Sequence, residues 1–161
     1  EEIHKVIRGI SRRVAITYDY PDGHVEYDEI EDPLPFDLNA PVVNIEDEFY
    51  ALFYRDLSEE MEKYNGKTVR FKGIVAADAS MGDKSVLAGR HVMTCCVDDI
   101  AFNPLVCIFP EKTTLKTRDW VTVTGTIKIE KHKLYGRPGP VLYAEKTEFA
   151  TKPTQEVATF Y

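Results

Sequence analysis

From Lys67 onward the apolar residues recur at every second position, and this rhythm restricts the fold more than any other feature. Val69, Phe71, Gly73 and Val75 alternate with Thr68, Arg70, Lys72 and Ile74. Residues 120–129 repeat the pattern most cleanly, with Val121, Val123, Gly125, Ile127 and Ile129 on one side and Thr122, Thr124, Thr126 and Lys128 on the other. Successive side chains of a strand point to opposite faces, so each run offers one apolar face to a core. Residues 90–97, 105–109 and 141–149 read as three further strands. They are set off by Asp98-Asp99, Asn103-Pro104 and the turn Gly136-Arg-Pro-Gly-Pro140. Residues 77–84, with Gly82-Asp83, read as a turn.

Five such strands, with Gly73 and Gly125 permitting sharp coiling, predict a mainly β fold: a small OB-like five-stranded barrel. An SH3-like barrel is the alternative, because the 111–119 stretch is short and weakly helical where OB arrangements commonly place a helix. One amphipathic helix is expected before the barrel, over 45–64. Ile45, Phe49, Leu52, Phe53, Leu57, Met61 and Tyr64 share a face, Asn44 serves as N-cap and Asn65-Gly66 ends it. Ahead of it, 14–20 and 24–27 read as an N-terminal β-hairpin around Pro21-Asp22-Gly23. The run 28–36 and Pro41 read as a proline-rich connector. The expected organisation is therefore 1–41 as hairpin and connector, 42–152 as helix plus barrel, and 153–161 as a tail.

Composition narrows the class. With 43% hydrophobic residues the 161-residue chain can bury a core, and no apolar run reaches the length of a membrane span. Residues 1–66 carry 6 basic and 17 acidic side chains, against 14 and 10 over 67–161. An acidic front opposes a polyanion, so nucleic acid is not the expected partner. A single-strand binder remains an alternative, through Lys131, Lys133, Tyr135 and Arg137 at one hairpin tip. Three cysteines without a CxxC do not make a disulfide framework. No nucleophile elbow, phosphate-cradling glycine loop or HExxH is present, so a noncatalytic role is expected.

Chemistry concentrates in Gly89-Arg-His-Val-Met-Thr-Cys-Cys-Val-Asp-Asp99. If 90–97 is a strand, Cys95 and Cys96 leave opposite faces, and Cys107 on the next strand can approach one of them. Thiolate and imidazole are the usual zinc ligands, so Cys95 or Cys96, Cys107 and His91, with Asp98, form a candidate Zn²⁺ set, although at no standard spacing. A redox thiol pair is a second reading. A binding surface of Arg90, His91 and the outward cysteine is a third. The plain reading makes the cysteines small buried hydrophobes. No other cofactor is expected.

The stretch Tyr64-Asn-Gly-Lys-Thr-Val-Arg-Phe-Lys-Gly-Ile-Val75, the Arg-x-Val-Met-Thr-Cys-Cys run and Asp119-Trp-Val-Thr-Val-Thr-Gly125 together resemble the C-terminal soluble domain of subunits of two-component membrane permease complexes. The likeness covers about 42 to the end and leaves 1–41 unplaced. His91 stands where an aromatic often precedes Val-Met. The resemblance implies a membrane-associated accessory subunit, carrying transmembrane helices ahead of this domain and working with a separate multi-pass permease on an unknown substrate. It marks Arg90, Met93, Thr94, Cys95, Cys96 and Asp98 as the positions of interest.

Overall fold

Strand pairing begins close to the N-terminus. The computed structural model describes residues 6–8, 13–19, 25–31 and 34–160, in two units, Glu1–Pro35 and Phe36–Tyr161. In the first unit, β1 (Val6–Arg8), β2 (Arg13–Asp19) and β3 (Val25–Glu31) form an antiparallel sheet in the order β1-β2-β3. Val14 opposes Ile30 and Ile16 opposes Asp28. Residues 28–31, expected in the connector, therefore belong to a strand. The Pro21-Asp22-Gly23 turn lies outside the described residues.

In the second unit, β4 (Val43–Asn44) runs parallel to β5 (Thr68–Ala76), and the Ile45 N–H continues the pairing to the Arg70 carbonyl at 2.9 Å. Asn44 is thus a strand residue and not the expected N-cap. The helix begins later: a 3₁₀ turn at Asp47–Phe49 runs into α1 (Tyr50–Glu59). It also ends earlier than 64, since Glu60 leaves helical geometry and Met61–Tyr64 forms a separate 3₁₀ turn. Buried Asp56 supplies the reason. It accepts from the Tyr64 hydroxyl at 2.6 Å and from Lys63 Nζ, folding that turn back onto the helix. Tyr50, Phe53 and Leu57 face inward, where Tyr50 and Phe53 meet Phe71 at ring separations of 5.6 and 6.1 Å. Aromatic side chains contribute large buried areas, so this cluster supplies much of the core.

The remaining strands are β6 (Ser85–Val92), β7 (Ala101–Ile108), β8 (Trp120–His132), β9 (Arg137–Phe149) and β10 (Val157–Ala158). They complete a seven-stranded mixed sheet, in the order β10-β6-β7-β9-β8-β5-β4. A further pairing of β5 with β6 closes β5, β6, β7, β9 and β8 into a hydrogen-bonded ring. All its pairs are antiparallel except β7 with β9. Val69, Phe71, Val75, Val121, Val123 and Ile127 are buried inside it, as the two-residue rhythm requires. None of the helices among the described residues is long and apolar enough to cross a membrane.

Strands β7 and β9 start earlier than expected. Pro104, expected to break a strand, sits within β7 opposite Gly89, and Pro138 and Pro140 lie in β9 instead of a turn. The register of β9 with β7 covers only Val141–Tyr143, so these prolines meet no partner strand on that edge, where a missing N–H costs nothing. Tyr135 bridges the opening instead. Its hydroxyl accepts from the Val106 N–H at 3.0 Å and donates to the Pro140 carbonyl at 2.6 Å. Gly139 makes room for its ring, since a Cβ there would lie 2.7 Å from Tyr135.

Candidate functional site

Strand β6 is where the fold and the candidate residues meet. One edge of β6 pairs with β7 along its length. It also pairs with β5 at Leu87–Gly89 and, in parallel, with β10 at His91–Val92. Arg90 stands at this hand-over and is 1% exposed. A buried guanidinium must find acceptors for its fixed fork of donors. It finds three: Asp47 Oδ1 at 3.0 Å, the Gln155 carbonyl at 2.7 Å and the Glu156 carbonyl at 3.2 Å. Its guanidinium carbon lies 5.4 Å from the centre of the Trp120 ring. Lys72 approaches the other Asp47 oxygen at 3.7 Å. The Arg55 guanidinium stacks 3.9 Å over Phe160, and the Met93 N–H donates to the Ala158 carbonyl at 2.9 Å. The C-terminal segment is thereby strapped onto the sheet, beside a cleft of about 630 Å³ lined by Asp47, Leu52, Lys72, Arg90 and that segment.

Immediately after the strap, β6 ends at Val92 and the chain enters an exposed loop over 93–99. The predicted strand over 90–97 is therefore displaced: residues 85–89 belong to it and 93–97 do not. Cys95 and Cys96 do not leave opposite faces of a strand. Freed of the pleat, their sulfurs lie 3.7 Å apart. Asp99 organises the loop. Its Oδ1 accepts from the Thr94 N–H at 2.8 Å, and its Oδ2 from the Cys95 and Cys96 N–H groups at 2.9 and 3.3 Å and from the Cys95 thiol at 3.0 Å. Cys96 and Asp99 form a capping box on the 3₁₀ turn Val97–Asp99. The ligand atoms of Cys95, Cys96 and Asp99 all lie within 4.8 Å of one another. Beside them Val97 is 74% exposed.

These contacts set the protonation states. The hydrogen bond to Asp99, then the neighbouring Cys96 and the Asp99 charge, push the Cys95 thiol up to about 11. The same thiol, with the backbone N–H groups of Cys95 and Thr94, holds the Asp99 carboxyl down to about 2. A depressed carboxyl stabilises the folded loop above its unfolded value, ~3.9, and that contribution is lost as pH falls towards about 2. Cys95 is consequently a thiol at neutral pH, a donor that a ligand must deprotonate and a poor nucleophile on its own.

The other residues read from the sequence separate. Cys107 is fully buried on β7, donates to the Leu105 carbonyl and is pushed up to about 12 by burial, so it behaves as a core hydrophobe and does not join the thiol pair. His91 is exposed on β6 with its ring 5.0 Å from Phe102, outside the cluster. Arg90 does not line an open surface with it, because its donors are taken by Asp47 and the strap. Met93 and Thr94 act through their backbone N–H groups. Asp98 is exposed and the adjacent Asp99 takes the organising role. The missed signal is the spacing Cys96-x-x-Asp99, the capping-box interval with a thiol in place of a hydroxyl.

None of the curated proteins matches the chain. A family match does exist, and it spans β3, the whole closed ring, the cysteine loop and the strap. Because the match runs from residue 25 to residue 158, the chain belongs to the DUF1980 C-terminal domain family.

Proposed function

We propose that this domain is a noncatalytic OB-type barrel, the soluble part of a membrane-anchored permease subunit, and that it binds a partner or small ligand through its 93–99 loop. The strand order around the ring, with one parallel closure between β7 and β9, supports the OB assignment over an SH3-like barrel. The observation that carries the binding role is the exposed loop itself. It presents two free thiols beside a carboxylate that backbone N–H groups hold in place. The raised Cys95 pKa makes that thiol a poor nucleophile at neutral pH. The Arg-x-Val-Met-Thr-Cys-Cys resemblance supplies the permease context, and a multi-pass permease is the partner it suggests. The single-strand reading is favoured less, since the Tyr135 hydroxyl at the hairpin tip is committed between two strands. Stacking needs free rings.

The test is co-purification. The membrane-anchored subunit, co-expressed with its multi-pass permease and solubilised in detergent, is expected to retain the permease. A Cys95→Ser, Cys96→Ser double variant that still folds is expected to retain at least several-fold less. Equal recovery with and without the subunit would contradict the proposal. A salt-sensitive affinity for single-stranded DNA in a filter-binding titration would favour the alternative.

A further inference from the structure

We propose that Cys95, Cys96 and Asp99 form an open, three-donor site for a thiophilic divalent cation of the Zn²⁺ class. The inference rests on the reading of the 93–99 loop as the binding element and names its ligand. Two sulfurs and one carboxylate are a poor set for Ca²⁺ or Mg²⁺, which take six or more oxygens. They suit zinc, which binds sulfur at ~2.3 Å and carboxylate oxygen at ~2.1 Å. With those bond lengths, the observed sulfur separation of 3.7 Å corresponds to an S–Zn–S angle of about 107°, close to tetrahedral. Adjacent cysteines on a strand would be splayed apart, so this separation is a property of the loop.

Asp99 completes the set. In tetrahedral coordination its oxygen would stand ~3.6 Å from the Cys95 sulfur, against 3.0 Å in the thiol–carboxylate hydrogen bond. Small motion of the two side chains accommodates the difference once the thiol proton is gone. Backbone N–H groups of Thr94, Cys95 and Cys96 already orient the carboxylate, as outer-shell partners of metal-bound carboxylates do. On binding, each thiol gives its proton to solvent and the cation takes its place. Two thiolates, one carboxylate and a divalent ion leave the site with a net charge of −1. The fourth position opens to solvent, where water or a donor from a partner can enter. Structural zinc, by contrast, is enclosed by four protein ligands.

The test titrates the reduced 161-residue chain with Cd²⁺, followed by thiolate-to-cadmium charge-transfer absorption, and then competes Cd²⁺ with Zn²⁺. One ion per chain is expected. The band should fall by about half in Cys95→Ser and in Cys96→Ser, whose exposed positions leave folding intact by circular dichroism. Asp99→Asn is expected to weaken binding about tenfold while keeping the band, and Asp98→Asn to leave binding unchanged. Apparent affinity should rise about tenfold per pH unit for each thiol proton displaced. Absence of a saturable stoichiometric band, or a band indifferent to both serine variants, would overturn the site. The two proposals fail separately. Cation binding by the domain, with permease recovery unaffected by the double serine variant, keeps this site and removes the loop from the partner contact. Loss of recovery without cation binding does the reverse.

Discussion

Gly89→Ala is expected to lower the unfolding midpoint by about 10 °C. A Cβ at that position would stand 2.4 Å from the Asn103 carbonyl oxygen, 2.5 Å from Pro104 Cα and 2.7 Å from the Tyr50 hydroxyl. Two of those atoms are backbone, held by the pairing of β6 with β7. The third is a buried phenol that donates to the same Asn103 carbonyl at 2.6 Å. Overpacking a core whose side chains can yield costs ~1–3 kcal/mol, and the top of that range applies where backbone must move. Gly73 faces the same crowding from the opposite strand, with a Cβ 2.8 Å from Gly89 N. Thermal unfolding of Gly89→Ala beside the wild-type chain gives the comparison. Equal midpoints for the two proteins would mean that β6 and β7 are not as closely apposed as described.

Arg90→Lys is expected to loosen the C-terminal strap while leaving the ring folded. Lysine keeps the charge but loses the planar fork that reaches Asp47 and the carbonyls of Gln155 and Glu156 at once. Hydrogen bonds from a charged donor are worth ~1.5–3 kcal/mol each, and an ammonium can retain one of the three partners. Asp47 is 42% exposed on its side chain, so its ion pair is screened and adds less than the carbonyl contacts. A local loss of ~2 kcal/mol is the outcome, about 30-fold in an opening equilibrium. Hydrogen exchange should report it as a loss of protection at the Met93 amide and across β10, with the amides of β8 unchanged. Unaltered protection in β10 would remove Arg90 from the strap.

Much of this arrangement was legible in the order of residues, for a simple reason. The burial of one strand face is a two-residue rule, and it located β5 and β8 within a residue or two at their starts. Helix α1 was legible as a buried stripe, but its ends were not. Val43-Asn44 joined an edge of β5, and Asp56 drew the Met61–Tyr64 turn back by hydrogen bonds that depend on the folded chain. The prolines of β7 and β9 misled, because whether a strand tolerates proline depends on what lies along its edge. The cysteines were found by type and misplaced by geometry. Treating 90–97 as a strand separated Cys95 from Cys96 and brought in Cys107, whereas the strand ends at Val92 and the loop after it folds around Asp99. Arg90 reads from the sequence as part of a surface, because its acceptors come from Asp47 and the C-terminal segment, which only the folded chain brings to it.

The placement of the three cysteines carries the functional account, and their alkylation rates test it most directly. In the native reduced chain, iodoacetamide followed by mass spectrometry should modify Cys95 and Cys96 while Cys107 stays protected until the chain unfolds. Modification of Cys95 should accelerate about tenfold per pH unit between pH 8 and 10, as its thiolate fraction grows. Asp99→Asn should raise its rate at pH 8 by removing the carboxylate that holds the proton. Labelling of Cys107 as fast as the other two, or a Cys95 rate that ignores both pH and Asp99, would contradict the account.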